Sequence, residues 1–174
     1  MQVRAIPCYP QTHLIDWSQW TEEINKVQPK LIIVGTSLTL LPREIGRVRD
    51  LAREVNAYLM YDAAHVAALV ATGRFQRPLV ESADLLTMPT YKTFGGPAGG
   101  LIATNNEELA RRLDAIAYPG MAANCDMARV AGLGVAALEL RTFGAEYADQ
   151  GLRNANKLAC QLPHDFLGGG LIFA

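Results

Sequence analysis

The segment Ala57-Tyr-Leu-Met-Tyr-Asp-Ala-Ala-His-Val-Ala-Ala-Leu-Val-Ala71 carries the clearest architectural signal, because an apolar run of strand length turns there into a helical pattern. Residues 57–61 predict a strand, and residues 63–71 predict a helix capped by Asp62. Ligands of open α/β sheets bind outside the carboxyl ends of the strands, where Asp62 would lie. His65 would follow on the same side of the first helical turn. Asp62 is therefore either a plain helix cap or part of a site, and His65 either a structural or a catalytic histidine.

The segments around this one continue an alternation of strands and helices. Residues 30–35 predict a strand buried on both faces of a parallel sheet. An apolar stripe predicts a crossover helix and completes a βαβ unit; it consists of Leu41, Ile45, Val48, Leu51 and Val55. Further strands are predicted at residues 83–88 and 100–104, a glycine turn entering a strand at residues 168–174, and further helices at residues 106–117, 126–140 and 143–161. The pattern indicates an α/β fold.

The amino-acid composition limits which binding partners and which cellular compartment can be expected. The 174 residues are 50% hydrophobic and carry a net charge of −1 without charge blocks, which predicts one globular domain that binds neither nucleic acid nor anionic membrane. Cys8, Cys125 and Cys160 fit neither a disulfide framework nor a zinc site, so we expect no metal and a reducing, cytoplasmic location. The longest apolar run, residues 131–138, is far shorter than the ~18–20 residues that span a bilayer. No signal peptide is recognisable at the start.

Lys92 follows the predicted strand 83–88, within Thr90-Tyr-Lys-Thr-Phe-Gly-Gly-Pro-Ala-Gly-Gly100. A lysine among apolar and small residues can lose its proton at modest cost and become a nucleophile, although a surface lysine beside a glycine turn is the alternative. Pyridoxal phosphate needs a lysine for its aldehyde and an acid against its pyridine nitrogen. Lys92 and Asp62 would meet both needs from neighbouring strand ends.

At these residues the chain resembles serine hydroxymethyltransferase, a family with the aspartate aminotransferase-like fold (fold type I) of pyridoxal phosphate enzymes. Four ordered blocks carry the resemblance, at residues 29–37, 57–71, 90–102 and 118–120. It implies that Lys92 is the catalytic, cofactor-bearing lysine and that Asp62 partners the pyridine nitrogen. It also implies that Ser37 and His65 bond the ring hydroxyl oxygen, that His65 takes part in catalysis, and that Thr90 belongs to the cofactor-binding block.

The resemblance further implies a reversible one-carbon transfer, in which serine is cleaved to glycine and tetrahydrofolate takes the hydroxymethyl carbon. Family members are homodimers or homotetramers with active sites between subunits. They are also much longer than 174 residues. Residues 1–174 are therefore expected to be a central part of the large domain, without the N-terminal segment and the C-terminal small domain, and to be inactive alone.

Departures from the family pattern keep other functions open. Pro89 and Tyr91 replace a threonine and a histidine, Ala98 replaces an arginine, and residues 121–125 replace a glycine-rich loop that reaches the neighbouring subunit's cofactor phosphate. The alternatives are a related lyase, such as a threonine aldolase or an α-methylserine hydroxymethyltransferase, and a non-catalytic truncated homologue that pairs with a complete enzyme. A dinucleotide-binding domain is disfavoured, because no Gly-x-Gly-x-x-Gly opens a helix after a strand.

Overall fold

A four-stranded sheet organises the computed structural model, which describes residues 2–39 and 41–161. Its strands are β1 (Leu31–Val34), β2 (Tyr58–Asp62), β3 (Leu85–Pro89) and β4 (Gly100–Ala103), which lie side by side in that order. The first three strands are parallel, and β4 runs antiparallel to β3. The predicted α/β class is confirmed, and the four predicted strands in this range agree with the observed ones to within two residues at each end. The strand predicted at residues 168–174 lies outside the described residues.

Five α-helices accompany the sheet: α1 (Trp17–Val27), α2 (Ile45–Glu54), α3 (Ala67–Ala71), α4 (Glu107–Ala115) and α5 (Met127–Gln161). Residues Ile116–Met121 form a kinked connection after α4, because Tyr118 and Pro119 have non-helical backbone angles, and residues 122–126 lead on to α5. Sequence reasoning missed α1, although Asp16 caps it by accepting the backbone N–H of Gln19 at 3.0 Å. An aspartate followed three residues later by glutamine is a recognisable start signal for a helix. None of the described helices is both long and apolar enough to cross a membrane.

The main hydrophobic core covers one face of β1. Ile32 and Val34 of β1 are buried against α1 and α2, whereas Leu31 and Ile33 on the other face are 43% and 49% exposed. The prediction that β1 is buried on both faces is therefore wrong within the described part of the chain. An apolar run indicates which side chains can be buried, but the elements that bury them lie elsewhere in the sequence.

The turn after β2 also differs from the predicted helix 63–71. Helix α3 begins only at Ala67, because Ala63 donates its N–H to Thr87 of β3 at 2.8 Å and so prolongs the strand pairing. Asp62 is the last residue of β2, and its Oδ1 accepts the N–H of Ala64 at 2.9 Å. An aspartate bonded to the backbone two residues on closes an Asx turn. Asp62 is therefore not a helix cap.

Helix α5 is continuous where two helices, 126–140 and 143–161, were predicted. Arg141 and Thr142 do not break the helix, because neither is Gly or Pro and the Thr142 hydroxyl donates to the Leu138 carbonyl at 2.9 Å. The helix packs on the domain through small residues, since Ala136, Gly144 and Ala148 are its buried residues. A Cβ added to Gly144 would come within 2.8 Å of Thr72 Cγ2.

Candidate active site

The residues singled out from the sequence gather at one edge of the sheet. Asp62 ends β2, Ser37 lies three residues beyond β1, and Lys92 lies three residues beyond β3. Since these three strands are parallel neighbours, their carboxyl ends meet at the same edge. The predicted adjacency of the Asp62 and Lys92 strand ends is therefore present in the structure.

Lys92 and His65 are in direct contact. The Lys92 Nζ lies 3.1 Å from the His65 Nε2, which links the loop after β3 to the turn after β2. One of these two nitrogens must be unprotonated to accept the hydrogen bond from the other. Both side chains are exposed. The pair therefore places an amine beside an imidazole that can accept or return a proton.

Asp62 is held tightly against the end of β1. A Cβ added to Gly35 would lie 2.8 Å from the Asp62 Cβ and closer still to the Asp62 carbonyl oxygen. Gly35 also has a φ of +151°, a backbone conformation that residues other than glycine rarely adopt. The Ala64 N–H fixes one carboxylate oxygen. Because a carboxylate has several acceptor positions, Asp62 can still receive a proton donor from a bound molecule.

Thr90 has its hydrogen-bonding groups engaged within the glycine segment after β3. Its side chain is buried, at 2% exposure, and its hydroxyl donates to the Pro97 carbonyl at 2.5 Å. Its backbone N–H donates to Gly99 and its carbonyl accepts from Gly96. Thr90 therefore shapes the loop that carries Lys92, and its hydroxyl is directed at that loop.

Ser37 lies in the loop between β1 and α2 and is exposed. In the described part of the chain it makes no hydrogen bond with Asp62, His65 or Lys92. The structure thus brings Lys92 and His65 together and sets Asp62 on the adjoining strand end, while Ser37 is near this group only through the position of its loop.

A cleft of about 620 Å³ opens at this edge of the sheet. Asp62 and Lys92 line it, and most of the remaining wall is apolar, with Met88, Leu101 and Ile102 among its members. Volumes of about 300–1,000 Å³ with few polar groups are typical of small-molecule sites. The cleft is therefore large enough for a cofactor of modest size.

The far wall of this cleft was missed by sequence reasoning. Leu113, Asp114 and Ala117, at and just beyond the end of α4, line it. Because β4 runs antiparallel to β3, the chain leaves the sheet at the opposite edge, and α4 then returns toward the site. The antiparallel direction of β4 was the missing information, since the sequence pattern of a strand does not reveal its direction.

Fold and site together define an α/β protein with a lysine–histidine pair and a neighbouring aspartate at the carboxyl edge of a mainly parallel sheet. The sequence profile described as serine hydroxymethyltransferase matches residues 5–167. The chain therefore belongs to the serine hydroxymethyltransferase family. The resemblance drawn from the four sequence blocks is confirmed, and the match extends beyond them at both ends.

Three relatives illustrate the similarity. The chain is 42% identical over 154 residues to an α-methylserine aldolase of Ralstonia sp., covering 88% of this chain and 35% of that protein. It is 40% identical over 159 residues to a serine hydroxymethyltransferase of Methanosphaera stadtmanae, covering 91% of this chain and 37% of that protein. It is 47% identical over 145 residues to a serine hydroxymethyltransferase of Methanothermobacter thermautotrophicus, covering 83% of this chain and 34% of that protein. The chain thus spans little more than a third of the length of these relatives.

Proposed function

We propose that this chain forms part of a pyridoxal-phosphate-dependent enzyme that cleaves the Cα–Cβ bond of serine, leaves glycine, and passes the hydroxymethyl carbon to tetrahydrofolate. The observation that carries the proposal is the 3.1 Å contact between Lys92 and His65, with Asp62 at the adjoining strand end. Family membership supports the same reading. In this proposal residues 1–174 are the central part of a fold type I large domain that functions in the cytoplasm.

The residues present fit pyridoxal phosphate chemically. Lys92 offers an amine for the aldehyde, and Asp62 offers an acceptor-only carboxylate for the protonated pyridine nitrogen. Both line the cleft of about 620 Å³. When bound, the cofactor supplies an electron sink that stabilises negative charge at the substrate Cα.

Each side chain then has a defined task. Lys92 would hold the aldehyde group through Nζ, and His65 Nε2, 3.1 Å from that atom, would accept or return its proton. Asp62 holds the positive charge of the ring nitrogen, and its own orientation is fixed by the Ala64 N–H. Met88 and Ile102 offer apolar surface for the ring in the wall of the cleft. Thr90 keeps the Lys92 loop in shape through Pro97.

A second candidate function is cleavage of an α-methylserine-type substrate without folate. The observation that favours it is the 42% identity to an α-methylserine aldolase over most of this chain. Pro89, Tyr91 and Ala98 near Lys92 depart from the hydroxymethyltransferase pattern and are instead the reason for keeping a non-catalytic homologue as a further alternative. The two candidates share the roles of Lys92, His65 and Asp62 and differ in the fate of the released carbon, which the transferase passes to tetrahydrofolate and the aldolase releases as free formaldehyde.

We also propose that the protein acts as a homodimer or homotetramer. Large apolar side chains on α5 are exposed and could be covered by a second subunit; they include Val135, Leu138, Phe143 and Tyr147. Analytical ultracentrifugation tests this proposal. A monomer at all concentrations would contradict it.

The cofactor assignment is tested by adding pyridoxal phosphate to the purified protein, reducing with borohydride and mapping the labelled peptide. The chain contains four lysines, so the assignment of the label to one of them is decisive. We expect it on Lys92, and we expect Lys92→Ala to lose it while the control Lys157→Ala keeps it. A label on Lys26, Lys30 or Lys157 would refute the assignment.

Substrate assays separate the two candidates. Turnover of serine that requires tetrahydrofolate supports the hydroxymethyltransferase, and folate-independent cleavage of α-methylserine supports the aldolase. Folate-independent cleavage of threonine would identify a threonine aldolase instead. A folded protein that takes up no cofactor would match the non-catalytic homologue.

A further inference from the structure

Gln76 is a buried polar residue to which neither the sequence nor the proposed chemistry assigns a task. Only 8% of it is exposed, and its carboxamide makes four hydrogen bonds. Its Oε1 accepts from the Arg43 N–H at 2.7 Å and from the Tyr61 hydroxyl at 3.3 Å. Its Nε2 donates to the Arg43 carbonyl at 2.6 Å and to Glu81 at 3.1 Å. A primary amide has two donors and two acceptor positions, and all four are used here.

These bonds connect the loop between β1 and α2 to the strand that ends in Asp62. Gln76 bonds both backbone polar groups of Arg43, at the end of the loop formed by residues 35–44. It also bonds Tyr61, the residue before Asp62, which is 1% exposed. One side chain therefore ties the far end of the loop to β2.

The near end of the same loop is fixed independently. Gly35 packs so closely on Asp62 that an added Cβ would collide with it. Inside the loop, the Thr39 hydroxyl donates to the Thr36 carbonyl at 2.9 Å. The segment that carries Ser37 is thus held at one end by Gly35 on Asp62 and at the other by Gln76 on Arg43.

The chemistry of the loop explains why such an anchor is needed. Ser37 and Leu38 are exposed, so apolar burial holds this part of the loop weakly. An exposed loop segment such as residues 36–38 has many conformations, and a hydroxyl on it contributes to binding only in proportion to the time it spends correctly placed. Bonds to both backbone groups of one residue define its position and its orientation together.

We propose that Gln76 is a positioning residue that holds the loop of residues 35–44 against the carboxyl edge of the sheet and thereby places Ser37 for a ligand bound between Lys92 and Asp62. The inference rests on the proposed cofactor site, because Gln76 would act there by placing Ser37. Neither Gln76 nor Ser37 lines the cleft itself, and Ser37 lies on the loop that follows β1 at the same edge of the sheet.

The first test needs no cofactor. Hydrogen exchange of peptides covering residues 36–44 is compared in the wild-type protein, Gln76→Met and the control Thr104→Val. Thr104 donates to the Asp84 carbonyl at 2.6 Å at the opposite edge of the sheet, so the control loses a structural hydrogen bond remote from the loop. Faster exchange in this loop only in Gln76→Met supports the inference. Equal exchange in all three proteins overturns it.

The second test is a double-mutant cycle on the dissociation constant of pyridoxal phosphate, using Ser37→Ala, Gln76→Met and the double variant. We expect each single change to weaken binding about three- to tenfold and Thr104→Val to leave it unchanged. If Gln76 acts through Ser37, the dissociation constant of the double variant is at most about twofold higher than that of the single variant that binds more weakly. Effects that multiply would overturn the inference.

The two proposals fail in distinguishable ways. If the wild-type protein takes up no pyridoxal phosphate, or carries it on another lysine, the proposed function fails and the inference falls with it. If the label is on Lys92 and Ser37→Ala weakens binding, but Gln76→Met loosens the loop without changing the dissociation constant, only the inference fails. Gln76→Glu tests for rescue, because it keeps the length of the side chain. Its affinity for pyridoxal phosphate relative to the wild type should improve at lower pH, where protonation of the new carboxyl group restores a hydrogen-bond donor beside Glu81.

Discussion

The Nζ of Lys92 and the Nε2 of His65 lie 3.1 Å apart across the gap between the loops that follow two neighbouring parallel strands. The two residues are 27 positions apart in the chain. Their contact depends on the parallel pairing of β2 with β3 and on the turn that Asp62 closes. It places a proton acceptor at the only nitrogen of Lys92 that can attack an aldehyde.

His65→Leu should slow the attachment of pyridoxal phosphate to Lys92, because the imidazole that exchanges a proton with the amine is removed. General acid–base groups typically contribute about 10²- to 10⁴-fold. Stopped-flow absorbance after mixing with the cofactor measures the rate, and His13→Gln in the N-terminal segment is the control. An unchanged rate in His65→Leu would remove His65 from the mechanism.

Gly35→Ala should destabilise the protein by about 1–3 kcal/mol, since the new methyl group collides with Asp62 and the backbone conformation is unfavourable for alanine. Urea unfolding measures the change. Gly134→Ala on α5 is the matched control, because open space surrounds that position and alanine favours a helix. Equal stability of both variants would show that β1 can move away from Asp62 without cost.

Tyr61→Phe should lower the free energy of unfolding by about 0.5–1.5 kcal/mol, because the phenol loses its hydrogen bond to Gln76. Burial, with a smaller contribution from Glu81, raises the pKa of Tyr61 to about 12. The folded protein therefore keeps a proton that the unfolded chain releases near the ordinary tyrosine pKa of 10.0. This stabilisation is complete below pH 10.0 and is lost as the pH rises toward about 12. Alkaline unfolding of the wild type and Tyr61→Phe measures it, and parallel pH profiles would contradict the assignment.

Asp149→Asn should reduce the acid sensitivity of the protein. The hydrogen bonds from Arg74, at 2.6 Å and 3.0 Å, hold the pKa of the Asp149 carboxyl below its ordinary value. A lowered pKa in the folded state gives stability that is present above the ordinary aspartate pKa and is lost as the pH falls through the folded value. The stability difference between wild type and variant should therefore shrink only in this acidic range. A difference that is constant across the acidic range would exclude the ion pair as its cause.

Much of the site followed from chain order. Consecutive strands joined by a crossover helix tend to be parallel neighbours, so the positions of Asp62 and Lys92 after successive apolar runs sufficed to predict that their strand ends meet. The exact role of Asp62 did not follow, because a strand-end aspartate can cap a helix or close a turn. The choice depends on the pairing of Ala63 with Thr87 in another strand.

Other features depend on contacts that no local pattern contains. The exposure of Leu31 and Ile33 reflects which elements cover β1, and the apolar run is the same in either case. The glutamine at position 76 has no sequence signal of its own, since its four hydrogen bonds reach three residues in three separate segments of the chain. The antiparallel direction of β4, which brings Asp114 to the cleft, is likewise a property of the whole sheet.

The continuity of α5 makes part of the chain intolerant of changes in length. The helix runs without interruption from Ala136, which packs in a cluster with Phe94, to Asp149, which Arg74 holds. In an α-helix each residue adds about 1.5 Å of rise and about a hundred degrees of rotation. A single inserted or deleted residue between Ala136 and Asp149 would therefore turn one of these two residues away from its partner. The same change in the exposed segment of residues 122–126, before the helix starts, would be absorbed locally.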